Sequence, residues 1–178
     1  MLQWYPQSSV NFREPAALDW LYAILESNAI VSAILVVIHP ELYHAGWETT
    51  KCLRDTPGTG AEGILYWWAS IFSGIAVISN HITEPHWDSS SRDNWYDILV
   101  TLEGYQNCNL ELPGLGISLG YSPGTVVGIS GKILEHAIPE FEGDRVCYAY
   151  FMRDNVHDWA NVPCSNWMKT SYYNLWVA

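Results

Sequence analysis

Short apolar runs alternate with turn-forming residues through the second half of the chain, and this pattern limits the fold more than any other feature. The runs are shorter than a typical helix, and glycine or proline commonly separates one from the next. Regular spacing of this kind predicts the strands of a β-sandwich or jelly roll, in which every second side chain points inward. The runs are Ile75 to Ile78, Ile98 to Leu102, Ile117 to Leu119, Thr125 to Ile129, Ile133 to Leu134 and Val146 to Phe151.

Residues 1–60 have a different periodicity. Apolar side chains recur at helical spacing in Pro15 to Ser27 and again in Pro40 to Leu53, and the second stretch stops near the Pro/Gly-rich loop Asp55 to Gly60. The apolar run Ala29 to Ile38 is too short to span a bilayer, so it predicts a buried helix or strand. We expect these helices to cover one face of the β-sheet.

The two patterns together predict one α+β domain over residues 1–178, mainly β, with a helical support layer at 1–60 and a β core at 61–155. Residues 156–178 form an aromatic-rich tail that either packs back on the core or offers a surface to a partner. No basic region precedes an apolar one at the N-terminus, so we expect an intracellular protein without a membrane partner. The four cysteines are far apart, which favours reduced structural thiols.

Four polar residues of the β region stand in an order that suggests an iron site. His86 and Asp88 form a His-x-Asp pair, and strand alternation points both side chains to the same side. His136 would reach them from a later strand, and Arg145 would open the strand after it. Non-haem Fe(II) oxygenases hold iron with two imidazoles and one carboxylate, which leaves positions open for a co-substrate and dioxygen. A buried arginine would offer a bidentate fork to the far carboxylate of 2-oxoglutarate.

Plainer interpretations exist for the same positions. The His-x-Asp pair could be hydrogen-bonded at a strand edge, and His136 could be a core histidine with a satisfied ring. Arg145 could pair with Glu142 or Asp144 at the surface. The order and the surrounding motifs favour the iron site.

These motifs resemble one family. The quoted set covers Ile78 to Asp88, Trp95 to Asp97, Leu112 to Gly116, Tyr121 to Val127, Leu134 to His136 and Gly143 to Arg145. It resembles the TET/JBP family of 2-oxoglutarate dioxygenases, most of all its members from mushroom-forming fungi, across more than half of the chain. The resemblance implies a double-stranded β-helix of the jelly-roll or cupin type. It also implies Fe(II) ligands at His86, Asp88 and His136, and 2-oxoglutarate bound by Arg145.

The resemblance further implies a place for a substrate base. In relatives that oxidise methylated cytosine, an aromatic residue six positions after the co-substrate arginine stacks on the flipped base, and a histidine two positions later hydrogen-bonds to it. Phe151 keeps the aromatic residue, whereas Arg153 replaces the histidine. Strand alternation would place both on the same face as Arg145. Trp87 also departs from the family pattern, because basic residues are frequent at this position in the DNA-acting relatives.

Two further residues are weaker candidates. Asn80, before the ligand loop, could donate to the co-substrate or be a satisfied amide at a strand end. Asp97, beside Trp95 and Tyr96, could face the substrate pocket or cap a turn.

Charge bears on the choice of substrate. Eight Lys and Arg stand against nineteen Asp and Glu, a formal net charge of −11, whereas proteins that hold a DNA backbone usually present basic clusters. Arg92 and Arg153 could form a local basic strip near the site, yet duplex binding by this chain alone should be weak and salt-sensitive.

The function predicted from the sequence is an Fe(II)/2-oxoglutarate-dependent dioxygenase that oxidises a methylated nucleic-acid base and releases succinate and CO2. The methyl group of 5-methylcytosine in DNA is the first substrate choice, and an enzyme acting on DNA would work in the nucleus. One alternative is hydroxylation of a small metabolite. Another is a transposon-associated copy of the fold without turnover.

Overall fold

The computed structural model describes residues 6–58 and 61–171. The chain divides into two compact units: one is Gly74–Arg153, and the other holds the described residues before Gly74 and from Asp154 onward. The family-like motifs all lie in the first of these, which we call the β unit, and the second is the helical unit. The organisation of residues 1–178 as a single domain stays a prediction.

The helical unit is built from a short 3₁₀ helix and five α-helices. Leu21, Leu35 and Leu42, one from each of the first three α-helices, are completely buried. The elements are the 3₁₀ helix Val10–Arg13, α1 (Ala16–Ala23), α2 (Leu25–Ile38), α3 (Pro40–Asp55), α4 (Glu62–Trp67) and α5 (Asp154–Ala160). No helix in the described ranges is by itself long and apolar enough to cross a membrane; α1 and α2 reach that length and composition only as a pair bent by 50°.

The helical predictions were right in type and partly wrong in extent. The expected helix from Pro15 to Ser27 is two helices, because Ile24 has a non-helical ψ of 6° and separates α1 from α2. The apolar run Ala29 to Ile38 belongs to α2 and is helical. Helix α3 starts as predicted at Pro40, where the side chain of His39 accepts a hydrogen bond from the Leu42 N–H at 3.3 Å.

The β unit contains ten strands. They are β1 (Gly74–Ser79), β2 (Thr83–His86), β3 (Asp97–Leu102), β4 (Tyr105–Gln106), β5 (Asn109–Leu112), β6 (Ile117–Gly120), β7 (Val126–Ile129), β8 (His136–Ile138), β9 (Glu142–Gly143) and β10 (Val146–Phe151).

Eight of these strands form two antiparallel sheets. The order β1-β10-β3-β7 makes the major sheet and the order β2-β8-β5-β6 makes the minor sheet, while β4 pairs with β9. The chain passes repeatedly from one sheet to the other, so strands that pair are often distant in sequence, as in a jelly roll. The fold is the double-stranded β-helix that the resemblance implied.

Side chains from both sheets pack into one core. Leu110 of β5 and Ile138 of β8, from the minor sheet, lie in the same cluster as Ile129 of β7, from the major sheet. Tyr105 of β4 and Tyr121, which follows β6, belong to the same cluster. The inner faces of the two sheets therefore enclose a common apolar interior, and a side chain on those faces points into it.

Three strand predictions need correction. Ile133 and Leu134 form a turn rather than a strand, because both backbone N–H groups donate to the Ser130 carbonyl, at 3.1 and 3.0 Å. The short strands β2, β4, β5, β8 and β9 lie outside the predicted apolar runs, and β2 contains Pro85. Residues 62–67, assigned to the β core, are the helix α4.

Strand β10 ends before Arg153, whereas the predicted alternation of side chains extended to that residue. Arg145 directly precedes β10, and the strand ends at Phe151, so Arg153 lies beyond it with an exposed side chain. Alternation along the strand therefore ends before Arg153, and the predicted pocket role of this residue stays a prediction.

Candidate metal centre

Two histidines face each other across paired strands of the minor sheet. His86, the last residue of β2, is opposite His136, the first residue of β8, and their ring centroids are 4.2 Å apart. The pairing register shifts between Thr83 and His86, which is the mark of a β-bulge, a feature that re-aims side chains beside active sites. Because β2 is an edge strand, Pro85 can lack an N–H there at little cost to the sheet.

The backbone orients both imidazoles. Nδ1 of His86 lies 2.9 Å from the carbonyl of Glu84, and Nδ1 of His136 lies 3.0 Å from the carbonyl of Leu134. A carbonyl oxygen only accepts, so each Nδ1 carries a proton, and in the neutral imidazole the lone pair for a metal is on Nε2. Each histidine thus uses the carbonyl two residues before it, and the pair is set for coordination without help from another side chain.

Asp88 completes a set of three ligands. Its Oδ1 lies 3.8 Å from Nε2 of His86 and its Oδ2 lies 3.7 Å from Nε2 of His136. These distances are too long for hydrogen bonds, yet all three ligand atoms lie within 4.8 Å of one another, so one ion can reach them together. The His136 side chain is 9% exposed, and those of His86 and Asp88 are about 40% exposed. Two imidazoles and one carboxylate with an accessible side fit Fe(II) and leave positions for a chelating co-substrate.

Gly131 holds the carboxylate in place. The Asp88 N–H donates to the Gly131 carbonyl at 2.9 Å, which ties the ligand loop to the turn before β8. A Cβ built on Gly131 would overlap Oδ2 of Asp88 and come within 3.0 Å of its Cγ. Any side chain at this position would therefore displace the carboxylate. Ser130 and Gly131 looked like an ordinary turn in the sequence, so this role was missed.

Asn80 fixes the backbone of Arg145. The Arg145 N–H donates to Oδ1 of Asn80 at 2.7 Å, and the Asn80 N–H donates to the Arg145 carbonyl at 2.8 Å. Nδ2 of Asn80 donates to Oδ1 of Asp144 at 3.0 Å. Asn80 has a φ of 49°, a left-handed conformation that asparagine tolerates better than most residues. Its interactions here are structural, and donation to a co-substrate stays a prediction.

The guanidinium of Arg145 is buried without a counter-ion. The residue is 3% exposed, its Nε has no hydrogen-bond partner, and within the described ranges no carboxylate lies at ion-pair distance. Its Cζ lies 5.3 Å from the ring centroid of Tyr121 and 5.8 Å from that of Phe141. Surface pairing with Glu142 or Asp144 is thus ruled out. A buried, unpaired cation calls for an anion, and the far carboxylate of 2-oxoglutarate suits a guanidinium fork.

Neutral groups surround this cation. The Tyr105 hydroxyl donates to the Tyr121 carbonyl at 2.7 Å and also bonds the Thr101 hydroxyl at 2.7 Å. Burial raises the pKa of Tyr121 and of the Cys147 thiol, and the positive charge of Arg145 only partly opposes the rise. These groups stay protonated at neutral pH, so they do not neutralise Arg145.

Phe151 lies against a glycine of the neighbouring strand. Gly74 of β1 is opposite Phe151 of β10, and a Cβ on Gly74 would come within 2.6 Å of the Phe151 ring. The guanidinium of Arg153 lies over the same ring, with Cζ 5.2 Å from its centroid. The ring is half-buried and keeps an accessible part. Stacking of a base on Phe151 and a substrate contact from Arg153 stay predictions.

Asp97 is a buried carboxyl on the major sheet. The residue is 5% exposed, and its Oδ1 has no hydrogen-bond partner among the described residues. Burial raises the pKa of Asp97 from 3.8 to about 7, and the charge of Asp88 adds to the rise. Asp97 is the first residue of β3, and its buried Oδ1 accepts no backbone hydrogen bond from the described residues, so the structure does not show the capping role considered from the sequence.

The remaining predictions concern the other histidines, the cysteines and the aromatic tail. Among the described residues, His86, Asp88 and His136 are the one group of three or more His, Cys, Asp and Glu side chains able to hold a metal, so His39, His44, His81 and His157 take no part in one. All four cysteines are thiols and not half-cystines, as predicted. Tyr172, Tyr173 and Trp176 of the aromatic tail lie outside the described residues.

Comparisons with known proteins show the family of the chain. The model of the Tet_JBP family, described as an oxygenase domain of the 2OGFeDO superfamily, matches residues 6–154. A solved structure of NgTET1 in complex with 5mC DNA has a TM-score of 0.62 at 17% identity, over 97% of this chain and 64% of that one. This chain thus spans somewhat less than two thirds of the NgTET1 chain. No curated protein sequence matches it. The fungal grouping stays a prediction, but the chain belongs to the Tet_JBP family of 2-oxoglutarate, iron-dependent dioxygenases.

Proposed function

We propose that this dioxygenase oxidises the methyl group of a methylated nucleic-acid base, in the first instance 5-methylcytosine in DNA, and converts 2-oxoglutarate and dioxygen to succinate and CO2. The observation that carries the proposal is the joint presence, in one small β unit, of a three-ligand metal site and a buried arginine that lacks an anion. The NgTET1 structure of similar fold contains 5mC DNA, which supports the choice of substrate class.

The residues divide the work of binding. His86, Asp88 and His136 would hold Fe(II), which, with 2-oxoglutarate and dioxygen, supplies the oxidising chemistry for a C–H bond. Arg145 would fix the far carboxylate of 2-oxoglutarate with its guanidinium, and Asn80 keeps the Arg145 backbone in place. The carbonyl groups of Glu84 and Leu134 hold both imidazoles through Nδ1, so that Nε2 of each ring is the nitrogen that would bind the metal.

A base would have to leave its helix to reach this site. Flipping a base out of duplex DNA costs about a few kcal/mol, and stacking on an aromatic ring returns part of this. Phe151 offers such a ring, held against Gly74 on the inner face of β10. The exposed Arg153 beside the ring could contact a phosphate or a carbonyl edge. If the substrate is DNA, we place the enzyme in the nucleus.

A small-molecule substrate is the second candidate. The net charge of −11 opposes tight binding to DNA, and Arg153 replaces the histidine that reads cytosine in relatives. A carboxylate or phosphate on a small metabolite would suit Arg153 equally well. The two candidates share the metal site and Arg145 and differ only in what lies on Phe151.

Succinate formation tests the proposal. The protein is incubated with Fe(II) and 2-oxoglutarate, alone and with oligonucleotides that carry cytosine, 5-methylcytosine or N6-methyladenine. We expect turnover that 5-methylcytosine stimulates, with a mass increase of the oligonucleotide by one oxygen. His136→Ala should abolish both, whereas His81→Ala, which replaces an exposed histidine outside the metal group, should keep both.

The other outcomes separate the candidates. Iron-dependent succinate formation that no oligonucleotide stimulates would move the substrate to a small molecule. A lack of succinate under all conditions would refute turnover by this chain. A salt titration of DNA binding gives an independent measure, because contacts to phosphates weaken steeply as salt rises.

A further inference from the structure

We infer that Asp97 is a specificity-determining residue that accepts a hydrogen bond from the exocyclic amino group of the base stacked on Phe151. The inference rests on the proposed function and adds to it a reason for selecting amino-bearing bases. It follows from the position of Asp97 in the major sheet, from its missing partner and from its neighbours.

The register of the major sheet sets the direction of the side chain. Asp97 of β3 is directly opposite Ile129 of β7, and residues opposite one another in an antiparallel pair point to the same face. Ile129 belongs to the core cluster between the two sheets. Leu99, two residues after Asp97 and on the same face, packs against that cluster as well. Asp97 therefore points into the interior of the β unit.

The same register makes Asp97 a neighbour of Phe151. Strands β3 and β10 pair with Ile98 opposite Tyr150, so the next residues on each strand, Asp97 and Phe151, adjoin on the opposite face. Side chains in such positions are about 5 Å apart at Cβ, within reach of one bound ring. A ring stacked on Phe151 would then have one edge turned to the Asp97 carboxyl.

The metal ligands lie on the other side of Asp97. Ile129, the cross-strand partner of Asp97, is two residues before Gly131, whose carbonyl accepts the hydrogen bond from the Asp88 N–H. The charge of Asp88 also raises the pKa of Asp97, as expected for nearby carboxyls. On the major sheet β3 lies between β10, which carries the candidate stacking ring, and β7, which leads to the turn that holds Asp88, so Asp97 has the two on opposite sides.

The chemistry of the free atom defines its ligand. Oδ1 is buried and has no partner among the described residues, a costly state that an N–H donor would relieve. With a pKa of about 7 the carboxyl is part protonated at neutral pH, and in either form it keeps an acceptor oxygen. Cytosine and adenine carry an exocyclic amino donor, whereas thymine has a carbonyl at the position where cytosine has its amino group.

Two oligonucleotides test this assignment. Single strands of one sequence carry either 5-methylcytosine or thymine, so that both offer the same ring methyl and differ in the polar edge. The ratio of kcat/KM for the two is measured in the wild type, in Asp97→Leu and in Asp97→Asn. We expect the wild type to prefer 5-methylcytosine, and Asp97→Leu to lower that preference roughly tenfold to a hundredfold. A purely structural role would lower both rates and leave the ratio unchanged.

The second variant guards against misfolding of the first. Asp97→Asn keeps the shape and adds an amide donor that can bond the thymine carbonyl, so we expect its preference to shift towards thymine. The matched control is Asp93→Leu, which removes an exposed carboxyl outside the sheet and should keep the wild-type ratio.

The outcomes distinguish the two levels of the proposal. A wild type that prefers 5-methylcytosine, together with an unchanged ratio in both Asp97 variants, would overturn the inference and leave the proposed function standing. A wild type that forms succinate but oxidises neither oligonucleotide would overturn the proposed function and the inference with it.

Discussion

The polar groups at the two sheets of the β unit differ in whether they have hydrogen-bond partners. On the minor sheet, both metal-binding histidines have hydrogen-bonded Nδ1 atoms, and the carboxylate loop is tied by its own backbone. Beside the major sheet, Arg145 and Asp97 each leave a buried polar atom without a partner. Satisfied groups fix a geometry in advance, whereas unsatisfied groups mark the places that a ligand must complete. The chain thus orients its metal ligands without a ligand present, whereas the sites proposed for 2-oxoglutarate and for the base each keep a buried polar atom that a ligand would satisfy.

Replacement of Arg145 tests this contrast with the largest expected effect. Arg145→Met removes a buried cation that has no counter-ion in the ligand-free protein and keeps a long apolar side chain. We expect 2-oxoglutarate affinity to fall about a hundredfold or more, while the free energy of unfolding stays unchanged or rises by about 1–2 kcal/mol. Calorimetry with 2-oxoglutarate and urea denaturation measure the two effects.

The control for that experiment is Lys51→Met, which removes an exposed cation on α3 and should alter neither quantity. A large loss of stability in Arg145→Met would mean that the guanidinium already has its partner within the chain. The contrast between the sheets would then disappear.

Gly131→Ala tests the arrangement of the metal ligands at the minor sheet. The added methyl group would overlap the Asp88 carboxylate, so we expect metal affinity to fall about tenfold to a hundredfold. Binding of Co(II) as a spectroscopic probe measures this directly, without turnover. Gly120→Ala is the matched control, because a Cβ at that position meets no atom within 4 Å. Equal metal binding in the two variants would show that Gly131 does not set the position of Asp88.

Asn80→Gly has a smaller expected effect, on the backbone of Arg145. Glycine keeps the left-handed conformation of residue 80 and removes the amide that accepts from the Arg145 N–H. We expect 2-oxoglutarate affinity to fall about three- to tenfold, the loss for one hydrogen bond. Asn107→Gly makes the same change at an exposed residue of similar φ, 52°, and should have no effect.

Thiol alkylation is the test with the smallest expected effect. Burial raises the pKa of Cys108 and of Cys147, so both hold little thiolate at pH 8, whereas Cys164 is exposed. Mass spectrometry after brief iodoacetamide treatment should find Cys164 modified first and the two buried thiols modified only after unfolding. Rapid reaction of Cys147 would show that water reaches the interior beside Arg145.

The strands and metal ligands that have a recognisable local pattern could be predicted from the sequence. His86, Asp88, His136 and Arg145 stand in recognisable motifs, and the structure brings the first three into one metal-binding group. Alternation was continued to Arg153, whereas the strand ends at Phe151 and the Arg153 guanidinium lies over the Phe151 ring from beyond the strand. Nothing local marks such an end.

Other features depend on contacts between distant residues. The need for glycine at Gly131 arises from Asp88, more than forty positions earlier, and the interior position of Asp97 follows from its pairing with Ile129. The aromatic neighbours of Arg145 are likewise brought together only by the fold. The spacing of residues along the chain does not indicate these contacts.

The place of β2 in the minor sheet has a consequence for how long a metal stays bound. This strand pairs with β8 alone, carries a bulge and a proline, and leads directly to two of the three ligands. Such edge segments open locally at a fraction of the free energy of global unfolding. We therefore expect the dissociation rate of the metal to follow the local opening of β2. A chelator would then remove the metal while the amide protons in the rest of the β unit stay protected from exchange.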